Sequence, residues 1–337
     1  MSVSGLVSVV IPTFNRAHTI ERAVDSVLAQ DYPSIEVIVV DDGSTDGTAV
    51  RMSRYGSDPR VRYFLFPNGG VCVARNRGLR EVRGEFVAML DSDDYWLPGK
   101  LSLQVPLLRA DAEMSLVWTD MDAVDPDDRI VSKNHLRKMY SCFGYFSNLL
   151  ELFEDRKETG NGTIYYVGHI AKALVLGNLV HTSTVLARAD RVAQAGEYDQ
   201  SLHPAEDQDF YYRLCKTGSS ALVEAVTIHY QIGAADAATA ESQHYKLATS
   251  ALKVFERLRK QEGALLFPDM LRLAEKDLYG WVGKAAFYHG DFGLARRYLL
   301  KSLMRNMADH RSLPYLILAC VPGYRYLKRI AKTGFLP

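Results

Sequence analysis

What the sequence does not contain narrows its chemistry first. Its four cysteines, Cys72, Cys142, Cys215 and Cys320, lie far apart and no C-x-x-C occurs. Zinc ribbons and thioredoxin-type redox centres are excluded, and buried free thiols in a reducing compartment are expected. Charge of either sign is not in excess: 40 Lys+Arg offset 40 Asp+Glu, so no global basic field points to nucleic acid. Neither G-x-G-x-x-G nor G-x-x-x-x-G-K-[ST] is present, which removes the dinucleotide and Walker phosphate loops. No stretch approaches the ~20 apolar residues of a membrane span. The nearest, "LPYLILACVPGY", is short and carries Pro314 and Pro322. The opening "MSVSGLVSVVIPTF" has no Lys or Arg ahead of its apolar run, unlike a secretory signal. A cytoplasmic protein is expected, with room for contact at the inner face of a membrane.

What is present fits a folded protein with a sizeable core. The chain has 337 residues, 47% hydrophobic and 24% charged, which suits one large domain with an appendage. The first 120 residues alternate strand and helix. "LVSVVIP", "IEVIVV", "VRYFLF", "FVAML" and "SLVWTDM" read as strands. Ile20, Val24, Val27 and Leu28 fall on one helix face, and Val71, Ala74, Gly78 and Leu79 on another. Strands this continuously apolar are covered on both faces, which predicts a mainly parallel α/β sheet. Residues 122–180 are less regular, with "DAVDPDDRIVSK" as a hairpin-like excursion and "KETGNGTIYY" as a loop. "HTSTVLAR" and "ALVEAVTIHY" read as strands, and "AEDQDFYYRLCKTG" as a helix that starts acidic. From about Ala234 the text turns helical. Leu247, Ala251, Val254, Phe255 and Leu258 form one stripe, and "WVGKAAFYHGDFGLARRYLLKSLMRN" reads as a helical hairpin turning at "GDF". The expected division is 1–233, with halves 1–121 and 122–233, followed by a helical region 234–337.

Polar clusters fall where three strands end: "TFN", "DDGS" and "DSDD". In parallel α/β sheets ligands bind at those carboxyl ends. Asp91, Asp93 and Asp94 crowd within four positions, and such carboxylates repel by roughly 1–4 kcal/mol per pair at ~4 Å. Strand-end solvation or a helix start at Pro98 would accommodate them. A divalent cation would also, since hard oxygen ligands suit Mg²⁺ or Mn²⁺ shared with a substrate's phosphates. An EF-hand is unsuited, lacking the loop glycine and the distal Glu. "NGGVCVARNRG" places Arg75 and Arg77 beside a glycine turn, where Arg75 is a candidate for a phosphate or a base.

Four stretches, "VSVVIPTFNR", "VIVVDDGSTDGT", "NGGVCVARNRGL" and "MLDSDDYWLPGKL", occur in this order. Together they resemble the nucleotide-sugar half of family 2 glycosyltransferases with the GT-A fold. "NLVHTSTVLARADRVAQAGEYDQSLHPAEDQDFYYRL" resembles the acceptor-side block of that family, so the likeness covers roughly residues 5–230. The late hairpin resembles one tetratricopeptide unit at Gly283, Gly290, Ala295 and Leu303, and a lone unit cannot form an array.

The resemblance implies site roles. Pro12, Thr13 and Phe14 would wall the nucleobase pocket. Asp42 would contact base or ribose, with Asp41 beside it. Asp91 and Asp93 would form the DxD pair around Ser92, Asp93 on the metal and Asp91 on ribose or sugar. Asp207, with Glu206 as the alternative, would be the general base. His229 falls near the position of a family histidine that assists metal or diphosphate, without the flanking arginine. His181, Thr182 and Trp96 are candidates for the acceptor side; strand-edge or core packing is the plainer reading of each.

The implied activity is inverting, metal-dependent transfer from a nucleotide sugar, with a UDP-linked donor expected. The acceptor would be a glycan or a lipid-linked acceptor, and the setting surface polysaccharide synthesis. A non-catalytic nucleotide-sugar-binding scaffold and a sugar-1-phosphate nucleotidyltransferase are the competing readings. The latter would want a Gly-rich basic loop after the first strand, and "IPTFNR" supplies none. The basic "GYRYLKRIAKTG", with Arg325, Lys328, Arg329 and Lys332, suits either a solvated helix or a segment on anionic lipid.

Overall fold

A computed structural model describes residues 2–233, 243–262, 267–306 and 310–321. Contacts divide the chain into two units, Met1–Ala237 and Ala238–Pro337. The first alternates as the apolar pattern dictates. In chain order it runs β1 (Val3–Thr13), α1 (Ile20–Leu28), β2 (Ile35–Asp41), α2 (Thr48–Met52), β3 (Val61–Leu65), α3 (Val71–Arg80) and β4 (Gly84–Met89). It continues with β5 (Tyr95–Trp96), α4 (Lys100–Ala110), β6 (Met114–Val124), β7 (Ile130–Ser132), α5 (Leu136–Met139), β8 (Asp155–Glu158) and β9 (Ile164–Gly168). It closes with β10 (Leu186–Arg188), α6 (Ala189–Ala195), α7 (Glu206–Cys215) and β11 (Ser219–Gln231).

The strands form one sheet in the order β3-β2-β1-β4-β10-β6-β11-β9-β8, with β5 on β11 and β7 on β6. The pairs β1/β2, β2/β3, β1/β4 and β6/β11 are parallel. The short β10 is wedged antiparallel between β4 and β6. β2 and β6 are buried along their whole length. Close packing of α3 on the sheet needs Gly78, where a Cβ would lie 2.3 Å from Val10 Cγ1. The β1, β2 and β4 ends all open on one edge, which gathers their polar tails.

Several local expectations are corrected. β3 lies at the end of the sheet and is only half-buried, not covered on both faces. "KETGNGTIYY" is the turn and return strand of the β8/β9 hairpin, because Gly162 takes φ 85° and lets β9 pair back on β8. "HTSTVLAR" starts as a 3-10 turn at Thr182–Thr184, and only Leu186–Arg188 pairs. α4 starts at Lys100, since Gly99 holds a left-handed φ of 84°. Cys72, Cys142 and Cys215 are buried, but Cys320 is exposed.

The second unit holds α8 (His244–Glu262), α9 (Pro268–His289), α10 (Phe292–Arg305) and α11 (Leu313–Cys320). α9 and α10 form the helical hairpin, turning at Gly290 with φ 94°. They approach closely at Gly283, where a Cβ would sit 2.6 Å from Leu299 Cγ. The buried face of α8 is Ala248, Leu252, Val254, Phe255 and Leu258, so Leu247 and Ala251 sit at its margin. Buried Glu275 is held between Arg259 and Arg305. No helix among the described residues is long and apolar enough to cross a membrane. The basic 322–337 stretch lies outside the described residues.

Candidate active site

The loops after β1 and β2 are tied together. Asn15, at φ 52°, donates its backbone N–H to Ser44 Oγ (2.8 Å) and accepts at Oδ1 from the Thr45 N–H (2.9 Å). The Ala17 N–H reaches Asp46 Oδ2 at 2.9 Å. Hydrogen bonds from Thr48 and from backbone N–H groups hold the Asp46 carboxyl below its usual range against burial. Within this frame Pro12 and Thr13 are buried and Phe14 is exposed at the rim. Asp41 is buried, accepting from Tyr63 Oη (2.6 Å) and the Ser44 N–H (2.8 Å). Asp42 accepts from the Gly69 and Gly70 N–H groups at 2.9 and 2.7 Å, fixing the glycine turn that opens α3. Asp41 and Asp42 thus fix the loop after β2 and the glycine turn before α3.

The β4 tail divides its three acids. Asp94 is buried, accepting from Ser183 Oγ (2.5 Å) and the Gln231 N–H (3.1 Å). Burial, then the nearby Asp93 and Asp91, push its carboxyl well up, so Asp94 stabilises the turn. Ser183 also accepts from the Asp91 N–H at 3.1 Å, and Ser92 is buried within this turn. Asp93 stays partly open, 26% exposed, with Arg16 Nη2 at 3.8 Å. Asp91 is partly exposed and gives Oδ1 to Arg75 Nη2 at 2.8 Å.

Arg75 links the loop after β4 to the start of α7. Its Nη1 donates to Glu206 Oε1 at 2.8 Å while its Nη2 holds Asp91. Both amino groups are therefore engaged by carboxylates rather than turned to an open phosphate pocket. Glu206 is buried, and its other oxygen meets His203 Nδ1 at 3.2 Å. Although burial raises it, His203 and Arg75 bring the Glu206 carboxyl down to about 2. Cys72, His203 and Glu206 place donor atoms within 4.8 Å of one another, but burial pushes the Cys72 thiol up to about 12.

Asp207, the next residue, sits differently. Burial first, then the Glu206 charge, push its carboxyl up to about 7. Asn178 Nδ2 donates to its Oδ2 at 2.8 Å and the Gln208 N–H to its Oδ1 at 2.8 Å. One carboxylate of the pair is locked in its charged state, and the other exchanges a proton near neutrality, the separation that general acid–base chemistry uses.

The remaining candidates fall in different places. His181 is buried, its Nδ1 has no hydrogen-bond partner, and its ring lies edge-on to Tyr230 at 4.8 Å. Burial pushes it down to about 4, so it is neutral at pH 7. Thr182 is buried next to it. Trp96 lies in the core rather than on the rim. It is 3% exposed, donates Nε1 to Ser183 O at 3.1 Å, and carries Lys100 Nζ 4.3 Å from its ring. Trp118 is fully buried as well. His229 Nδ1 pairs with Tyr95 Oη at 2.7 Å, two residues beyond Asp93. Asn178 and Ser183 were not found from the sequence because their partners, Asp207 and Asp94, are remote in the chain, and His203, three residues before Glu206, was missed although its partner is local.

The family model described as "Glycosyl transferase family 2" matches residues 8–171. That match takes in a little under half of the chain. An uncharacterised glycosyltransferase of Rickettsia typhi is 30% identical over 217 residues, 64% of this chain and 60% of that protein. The chondroitin synthase of Pasteurella multocida is 37% identical over 131 residues, 39% of this chain and 14% of the synthase. The chain therefore spans less than two thirds of these relatives. Two solved structures share the fold of this chain, a GT-A fold. One is S. aureus TarS with UDP-GlcNAc, at TM-score 0.53 and 18% identity over 98% of this chain and 92% of that one. The other is a mannosyltransferase from Pyrobaculum calidifontis with GDP-Man and Mn²⁺, at 0.55 and 20% over 96% and 83%.

Proposed function

We propose that this chain, as a family 2 glycosyltransferase, transfers a sugar from a nucleotide donor to an acceptor hydroxyl, with inversion and with help from a divalent cation. The observation that carries the reading is Asp207. Its carboxyl, pushed up to about 7, lies beside a charged Glu206 whose Arg75 partner also holds the strand-end Asp91. As carboxylate it accepts the acceptor hydroxyl's proton. The hydroxyl oxygen then bonds the anomeric carbon, and the bond from that carbon to the diphosphate oxygen breaks with its electron pair. With one base and no protein nucleophile, one displacement inverts the centre.

The donor set fits Mg²⁺ or Mn²⁺. Asp93 is partly open to solvent and Asp91 keeps one oxygen outside its Arg75 contact, hard ligands that leave room for phosphate oxygens. Asp93, with Asp91, would hold the ion, which supplies neutralisation of charge on the leaving diphosphate. His229 would assist only in company with Tyr95. Pro12, Thr13, Phe14 and Asp42 frame the base pocket, and Arg75 positions Asp91 against Glu206. His181 and Thr182 border the acceptor side near Asp91.

A UDP-linked donor is favoured, in keeping with TarS bound to UDP-GlcNAc and despite the mannosyltransferase bound to GDP-Man. A glycan or lipid-linked acceptor and a role in surface polysaccharide synthesis accord with the chondroitin synthase likeness. Work at the cytoplasmic face of a membrane, with the basic 325–332 stretch on anionic lipid, belongs to the same reading. Calorimetry with UDP and GDP, each with Mn²⁺ and with EDTA, tests the donor site. UDP binding that needs Mn²⁺ and disappears in Asp93→Ala is expected; no metal-dependent binding of either nucleotide would remove the assignment.

A further inference from the structure

Three side chains of different chemistry meet where α3 faces the start of α7. Cys72 is the second residue of α3, Glu206 is the first of α7, and His203 lies in the short loop before it. A thiol sulfur, a ring nitrogen and a carboxylate oxygen from these residues all lie within 4.8 Å of one another. Among the described residues no other trio of His, Cys, Asp or Glu does so. Cys72 is 4% exposed and Glu206 3%, while the His203 side chain is 35% exposed. The cluster is therefore buried, with one side open to solvent.

The spacing suits a tetrahedral ion. Zn–S bonds of ~2.3 Å and Zn–N or Zn–O bonds of ~2.0–2.2 Å put neighbouring ligand atoms roughly 3.3–3.6 Å apart. His203 Nδ1 and Glu206 Oε2 already stand 3.2 Å apart, so the sulfur has to close in by roughly 1 Å at most. Glu206 keeps its other oxygen on Arg75 Nη1, an outer contact of the kind that orients a metal ligand. Charge points the same way. Arg75 is shared by two carboxylates, Asp91 and Glu206, which leaves a negative charge over. A divalent ion together with a Cys72 thiolate brings the sum to zero. Thiolate and imidazole select Zn²⁺ over Mg²⁺ and Mn²⁺, which prefer oxygen sets such as Asp91 with Asp93.

We propose that Cys72, His203 and Glu206 form a zinc-binding site, separate from the Asp91 and Asp93 pair, that ties α3 to the first turn of α7. Water on the His203 side supplies the fourth ligand. As the ion binds, the Cys72 S–H bond breaks, the sulfur's electron pair goes to the metal, and the proton leaves to solvent. The seated ion restrains Glu206 beside Asp207 without needing a nucleotide sugar, so the site stands whether or not the transfer reading holds.

The full, reduced chain is titrated with Co²⁺, a spectroscopic stand-in for Zn²⁺. A thiolate-to-cobalt charge-transfer band in the near ultraviolet is expected, saturating at a single equivalent. An equivalent of Zn²⁺ should bleach it, and excess Mg²⁺ should not. Cys72→Ser should abolish the band, while Cys320→Ser, which removes the exposed thiol, should keep it. His203→Ala, at a partly exposed position, should weaken Co²⁺ binding by about tenfold or more. Asp93→Ala should leave the band intact, which keeps this site distinct from the donor site. No charge-transfer band at saturating Co²⁺, or a band that survives Cys72→Ser, overturns the site. So does unchanged affinity in His203→Ala, or loss of the band with excess Mg²⁺ or in Asp93→Ala.

Discussion

Asp207 carries a cost that the proposed role as base would require. Its carboxyl rises from 3.8 to about 7, and three units correspond to about 4 kcal/mol at ~1.36 kcal/mol each. The sign follows from linkage: a raised folded pKa favours folding while the group is protonated, and that contribution is lost as pH climbs from 3.8 to about 7. Asp207→Asn removes the buried charge but gives up part of the hydrogen bonding with Asn178 and Gln208, roughly 1 kcal/mol. The variant should therefore be more stable than the wild type by roughly 3 kcal/mol at pH 8 and by less at pH 5, measured by urea unfolding. Its turnover should fall by ~10²-fold or more. The wild-type rate should rise with pH on a limb near 7. Glu206→Gln deletes the second-largest cause of the shift. A neighbouring unit charge at an effective dielectric of ~20 is worth up to about 4 kcal/mol, so the limb should move toward acid by about a unit or more. Retained turnover in Asp207→Asn, or a Glu206→Gln limb that stays put or moves alkaline, would refute the reasoning.

Other expectations follow from single contacts. Asn178→Ala removes a donor that favours charged Asp207, so the activity limb should shift alkaline by about a unit or less, seen in a pH–rate profile. Trp96→Phe loses the bond to Ser183 O and should cost about 1–3 kcal/mol, while the acceptor KM stays unchanged; a raised KM at full stability would put the ring back at the acceptor. Gly283→Ala drives a Cβ to 2.9 Å from the Leu299 backbone N and should lower stability of the helical unit by ~1–3 kcal/mol, read by thermal melting.

Much of the fold was legible because its signals are local. The apolar runs at β1, β2 and β4 and the 3.6-residue spacing in α1 mark buried elements whatever surrounds them. The acids that follow β2 and β4 could be assigned to one edge because parallel strands share a direction. The hairpin at Gly290 was equally plain. The β8/β9 hairpin and the short β10 were not, since a three- or four-residue strand has too little pattern to separate it from loop.

The sequence by itself determined the strand ends, the acids placed there, and the acidic start of α7. Only the tertiary structure decided what each acid does. Asp91, Asp93 and Asp94 look alike in a row, yet packing sends Asp94 inward to Ser183 and leaves Asp93 partly open. Glu206 and Asp207 are neighbours, yet Arg75, 131 residues earlier than Glu206, holds one charged. Burial raises the other toward neutrality. Protonation depends on desolvation and on charges a few ångströms away, and those neighbours come from distant parts of the chain.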